Sequence, residues 1–163
     1  MRSLSLFCVL CCALAATATA GPRTIFLVRH AERARMSAAA TSDTDLSAAG
    51  RARAQSLADA LKDAKITAIY TSEYKRTQET AAPLAHSLGI RPEVVFADET
   101  TTLIAKLKAS HGNTLVVGHS NTLRPIIRGL GIFSRVTINE SDYDNLFLIV
   151  LDPAPHLIHL HFR

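Results

Sequence analysis

The stretch TIFLVRHAE, residues 24–32, runs from Thr24 through four successive apolar residues, Ile25 to Val28, and breaks abruptly into Arg29-His30. An apolar run without alternation reads as a strand buried on both faces, as found inside parallel sheets. Two further runs have the same character. Ile66 to Tyr70 (ITAIY) passes into Thr71-Ser72, and Thr114 to Val117 (TLVV) passes into Gly118-His119-Ser120.

Helical patterns separate these strands. Leu46-Ser47-Ala48-Ala49-Gly50 opens an Ala-rich helix reaching Lys62, with Ser47 as N-cap and Leu57 and Leu61 at helical spacing. Glu73 to Ser87 forms a second helix ending at Gly89, with Pro83 as a potential kink. Val94 to Phe96 reads as a short strand, Thr101 to Ser110 as a third helix and Asn121 to Leu130 as a fourth with Pro125 early in it. Leu146 to Leu151 and Leu157 to Phe162 read as two strands joined by Asp152-Pro153-Ala154-Pro155. Strands alternating with helices give an α/β three-layer sandwich: a mostly parallel central sheet, an antiparallel edge, and helices on both faces.

The first twenty residues stand apart. Arg2, the apolar run Leu4 to Ala16 and the small residues Ala18-Thr19-Ala20 have the order of a signal peptide cleaved near Ala20. The expectation is therefore a signal over 1–20 and one domain over 21–163, exported to a periplasm or secreted, with no stable membrane insertion. Cys8, Cys11 and Cys12 all lie in that signal, so the mature chain would have no cysteine nucleophile and no thiolate metal site. Its 17 Lys and Arg against 14 acids leave a net charge of +3, compatible with an anionic ligand but too small to suggest nucleic acid.

In open α/β sheets ligands gather at the carboxyl ends of the strands. Arg29 and His30 follow the first strand, Ser72 and Arg76 the second, and Gly118, His119 and Ser120 the third. Two arginines and two histidines converging there make a donor-rich crevice suited to a tetrahedral dianion, because each guanidinium pairs two oxygens and stays protonated. The start of the Glu73 helix could add backbone N–H groups. No serine or threonine has a base and carboxylate in evident triad order. A neutral His30 can itself attack phosphorus, with its other nitrogen fixed by a hydrogen bond, while Arg29, Arg76 and His119 stabilise the developing charge.

Arg29-His30-Ala31-Glu32 after a buried strand, Tyr70-Thr71-Ser72 with Arg76 and Thr80-Ala81, and Val117-Gly118-His119-Ser120 together resemble the histidine phosphatase superfamily, the phosphoglycerate-mutase-like proteins, and most closely their small single-domain bacterial phosphatase branch. The resemblance implies His30 as the phosphorylated nucleophile, Arg29 and Arg76 as phosphate clamps, His119 as the second pocket histidine, and no metal or other cofactor. It also implies a carboxyl proton donor, for which Glu99 is the choice, with Asp98 and Glu32 as alternatives. The short stretch between Arg76 and TLVV leaves little room for the substrate-covering insertion of the mutases. The expected activity is thus a metal-independent phosphomonoesterase acting on a phosphorylated small molecule or a phosphoprotein. A non-catalytic phosphoryl-binding module and a sugar-phosphate mutase are the alternatives. His156, His159 and His161 read as a solvated face of the last strand rather than a metal site.

Overall fold

A computed structural model describes residues 23–35 and 43–162. The expected signal peptide and its three cysteines lie outside the described residues.

Ten elements follow one another: β1 (Thr24–Arg29), α1 (Ala48–Leu61), β2 (Ile66–Thr71), α2 (Lys75–Leu88), β3 (Glu93–Val94), α3 (Thr100–Ala109), β4 (Asn113–Gly118), α4 (Ser120–Gly129), β5 (Asn145–Val150) and β6 (His156–His161). They build one six-stranded sheet in the order β3-β2-β4-β1-β5-β6. The first four in that order are parallel, while β5 runs antiparallel to β1 and β6 antiparallel to β5. This is the α/β architecture expected from the apolar runs, with its antiparallel edge.

Strand pleating divides the core in two. Phe26 and Val28 of β1 and Leu115 and Val117 of β4 face α1 and α2, packing on Leu57, Leu61, Ala81 and Leu84. Ile25 and Leu27, with Val116 beside Leu27 on β4, face the other way onto Leu107 of α3 and Leu123, Ile126 and Ile127 of α4. Both sets are almost wholly buried, which is why β1 and β4 lack the alternation of a half-exposed strand. Truncating a residue such as Leu84, fully buried between α2 and the sheet, would cost about 2–5 kcal/mol. By contrast β6 is largely exposed and keeps its histidines in solvent.

The helix ends follow the sequence signals closely. The hydroxyl of Ser47 accepts from Gly50 N at 3.0 Å, and Gly89 ends α2 at φ 65° in the left-handed region that favours glycine. Most boundaries fall within one residue of expectation, and two differ by two residues. The edge strand β3 is Glu93–Val94, because Val95 N bonds Thr71 O at 2.9 Å and the chain then turns at Phe96 to Glu99. The second helix begins at Lys75, not Glu73, and the first of its N–H groups is taken by Asp43 Oδ1 at 2.9 Å. Among the described residues no helix is long and apolar enough to cross a membrane.

Candidate active site

Parallel pairing of β1 with β4 in register, Val28 opposite Val117 and Arg29 opposite Gly118, sets the residues after both strands side by side. His30 N continues the ladder by bonding Gly118 O at 2.9 Å. The two imidazoles therefore meet edge to face, their ring centroids 5.4 Å apart. Arg76 arrives from the first turn of α2, one strand over. Arg29, His30, Arg76 and His119 all line one pocket of about 230 Å³, together with Arg33, Tyr74, Ala97, Ser120, Asn121 and Glu140.

His30 is held in a single tautomer. Its Nδ1 lies 2.8 Å from the carbonyl of Ala31, which can only accept, so Nδ1 carries the proton and Nε2 keeps its lone pair. Burial, opposed by that backbone bond and aided by His119, Arg29 and Arg76, lowers its pKa to about 4. The backbone around it is pinned as well, since Ala31 N donates to Thr80 Oγ1 at 2.9 Å. His119 is likewise brought down to about 4, first by burial and then by Arg76. Its Nε2 is 2.9 Å from Ser72 Oγ.

The arginines are positioned by aromatic rings. Arg29 lies over Tyr143 at 4.3 Å from the ring centroid, and Arg76 over Tyr74 at 4.1 Å. Arg29 also gives NH1 to the carbonyls of Asn139 and Glu140, and NH2 to Glu140 Oε2 at 2.8 Å. Among the described residues the one carboxylate within 4.0 Å of Arg76 is that of Asp43, 3.9 Å from NH1. Among the described residues, buried Nε of Arg29 and buried Nε and NH1 of Arg76 have no hydrogen-bond partner. Each such donor costs about 1–3 kcal/mol, which an anion entering the pocket would offset.

The structure does not bring Glu99 into this pocket. It is exposed at the head of α3, beyond the turn closed by its own N–H onto Phe96 O, and only Ala97 of that segment reaches the lining. Asp98 is exposed beside it, and Glu32 is occupied by a forked pairing with Arg53, from 2.7 to 2.9 Å, that holds its carboxyl below the usual range against the opposing effect of burial. The carboxylate that does line the pocket is Glu140. It hydrogen-bonds Ser120 as well as Arg29, and chiefly the Ser120 bond lowers its pKa. Glu140, Tyr74 and Tyr143 had no part in the sequence reading. On the far edge, His159 pairs with Asn145 at 2.7 Å and stacks on Phe147, and His161 meets Asp144 at 3.3 Å. Among the described residues no group of three or more His, Cys, Asp or Glu is placed to hold a metal ion.

Residues 25–98, which include Arg29, His30 and Arg76, match the sequence profile of the histidine phosphatase superfamily, branch 1. That segment, a little under half of the chain, is similar to the histidine phosphatase superfamily. The fold agrees with the likeness. The protein histidine phosphatase SixA in complex with tungstate superimposes with a TM-score of 0.64 at 17% identity, over 85% of this chain and 96% of that one. Mycobacterial glucosyl-3-phosphoglycerate phosphatase Rv2419c with inorganic phosphate does so at 0.65 and 16%, over 85% and 95%. At such identities the likeness speaks for the fold. In sequence, the uncharacterized protein Rv0525 of Mycobacterium tuberculosis (strain ATCC 25618 / H37Rv) is 48% identical over 50 residues, 29% of this chain. The shared stretch spans a quarter of that relative's length, 25%.

Proposed function

We propose that the protein is a histidine phosphatase superfamily member, an exported phosphomonoesterase that works through a phosphohistidine on His30. The observation that carries the reading is the pairing of a neutral, tautomer-fixed imidazole with two guanidinium groups that keep unpartnered N–H donors in one pocket.

In the first step the Nε2 lone pair of His30 attacks phosphorus and the bond from phosphorus to the ester oxygen breaks. Arg29 and Arg76 hold the equatorial oxygens, and His119, steadied by Ser72, gives a further hydrogen bond as charge develops. In the second step water attacks the phosphohistidine and gives a proton to the carboxylate that lost one in the first step, the P–N bond breaks and orthophosphate leaves. The departing oxygen needs a proton in the first step. Glu140 takes the place that Glu99 held in the sequence reading: a dianion drawn onto Arg29 displaces this carboxylate, and the nearby negative charge raises its pKa until it can hold and deliver a proton.

No metal takes part in these steps. The substrate is a phosphorylated small molecule or a phosphorylated protein side chain, reached from an open pocket mouth. Purified protein assayed with an aryl phosphate in the presence of EDTA tests the proposal. Phosphate release that His30→Ala abolishes supports it. Phosphate binding without turnover would instead favour a recognition module, and transfer of the phosphoryl group between hydroxyls a mutase.

A further inference from the structure

A second cavity opens further along α4. About 170 Å³ in volume, it is lined by Arg124, Ile127 and Arg128 of α4 and by Phe133, Arg135 and Val136 of the segment that follows. The three guanidinium-bearing residues are exposed, and among the described residues none has a carboxylate within 4.0 Å. Arg124 and Arg128 are four residues apart on one helix face, where like charges repel, and Arg135 adds a third from another element. Phe133 is 78% exposed at the same place, an apolar wall beside the charges. A solvated helix face would gain from interspersed acids; this one concentrates positive charge around a concavity.

The cavity lies further along the helix whose first residues line the catalytic pocket. Ser120 and Asn121, the first residues of α4, line the catalytic pocket, and Arg124 follows Asn121 at the spacing that puts two side chains on neighbouring positions of a helix surface. The rise of an α-helix places Arg124 about 5 Å and Arg128 about 10 Å along the axis from Asn121.

We infer that Arg124, Arg128 and Arg135 form a second anion subsite, and that the substrate is a phosphomonoester carrying a second phosphate or equivalent anion several ångströms from the one that is cleaved. This rests on the phosphatase reading above and deepens it. The group being hydrolysed sits on Arg29, Arg76 and His30, the second anion sits in the α4 cavity, and the linker passes over Ser120 and Asn121. The second anion supplies binding energy remote from the reacting bond, which can be used to position it.

The test compares butane-1,4-diol bisphosphate with butyl phosphate, using wild type and a variant with Arg124→Ala, Arg128→Ala and Arg135→Ala. Wild type should hydrolyse the bisphosphate with the higher kcat/KM, by on the order of tenfold or more, as expected for charge-assisted hydrogen bonds. The variant should lose that preference yet keep kcat/KM for an aryl monophosphate, which also shows that it folds. A parallel arm measures thermal stabilisation of the His30→Ala protein by the same two compounds. Stronger stabilisation by the bisphosphate that vanishes with the three arginines supports the subsite even if turnover is absent, so failure of the catalytic reading is seen separately. Equal kinetics and equal stabilisation by the two compounds overturn the inference. So does a charge preference seen only with acidic phosphopeptides, since the arginines would then serve a protein.

Discussion

Glu140 Oε2 lies 2.8 Å from NH2 of Arg29, so among the described residues the one carboxylate lining the candidate pocket sits on one of the two guanidiniums proposed to clamp phosphate. The side chain of Arg29 is 4% exposed and that of Glu140 78%, which makes the acid the mobile partner. An incoming phosphate must compete with it for Arg29. A carboxylate that yields this position and remains beside the scissile bond is well placed to protonate the leaving oxygen.

The Glu140→Gln substitution should therefore separate two effects. Inhibition by orthophosphate should strengthen several-fold, because the amide carries no negative charge to compete. Turnover of alkyl phosphates should fall by about 10²-fold, the usual worth of a positioned acid, whereas aryl phosphates with good leaving groups should lose far less. Equal losses for both substrate types would remove Glu140 from proton transfer.

Arg76→Lys should lower kcat/KM by about 10²–10³-fold despite conserving charge, the range seen when a transition-state donor is removed. An ammonium cannot present the fork of donors that Arg76 holds against Tyr74. The kinetics of an aryl phosphate measure the loss directly, and near-wild-type rates would show that a point charge suffices.

The pH dependence follows from two depressed imidazoles. The pKa of His30 is about 4 when folded, against 6.5 for the unfolded side chain, and that of His119 falls likewise to about 4. Between these values the unfolded chain binds the extra protons, so stability should drop as pH falls from about 6.5 towards 4 and level off below. The acid limb of kcat/KM, which reports the free enzyme, should lie well below 6.5. Thermal melts and a pH–rate profile check both. An acid limb at the ordinary histidine value would mean that His30 is better solvated than the structure shows.

Gly50→Ala should destabilise the fold by about 1–3 kcal/mol, as overpacking does. A Cβ at position 50 would overlap the carbonyl oxygen of Glu32. The α1 helix comes that close to the loop after His30, and Ser47 N bonds the same carbonyl at 2.9 Å. Chemical denaturation gives the stability change. A parallel loss of activity is expected because the loop after His30, the proposed nucleophile, must shift.

Most of the fold was legible because β1 and β4 are buried apolar runs, and β2 an apolar run that the structure leaves only partly buried; each ends in the polar residues that line the pocket. His30, Arg29, Arg76 and His119 could be found from that rule alone. Glu140 and Tyr143 could not, because they precede a strand. The physical reason is the antiparallel edge: β5 pairs with β1 so that Leu146 faces Val28, and the chain just before β5 therefore arrives at the carboxyl end of β1. Glu99 was placed in the pocket by proximity to the right region of sequence. The turn at Phe96 to Glu99 carries it outward, which no periodicity in that polar stretch reveals.

The most direct test of the central claim is to quench the protein during turnover of a ³²P-labelled phosphomonoester and locate the label by peptide mapping. The account predicts a phosphoryl group on His30, labile in acid and stable in base, and absent from the inactive His30→Ala protein. Steady turnover with label on another residue, or with no label at any quench time alongside an active His30→Ala protein, would contradict it.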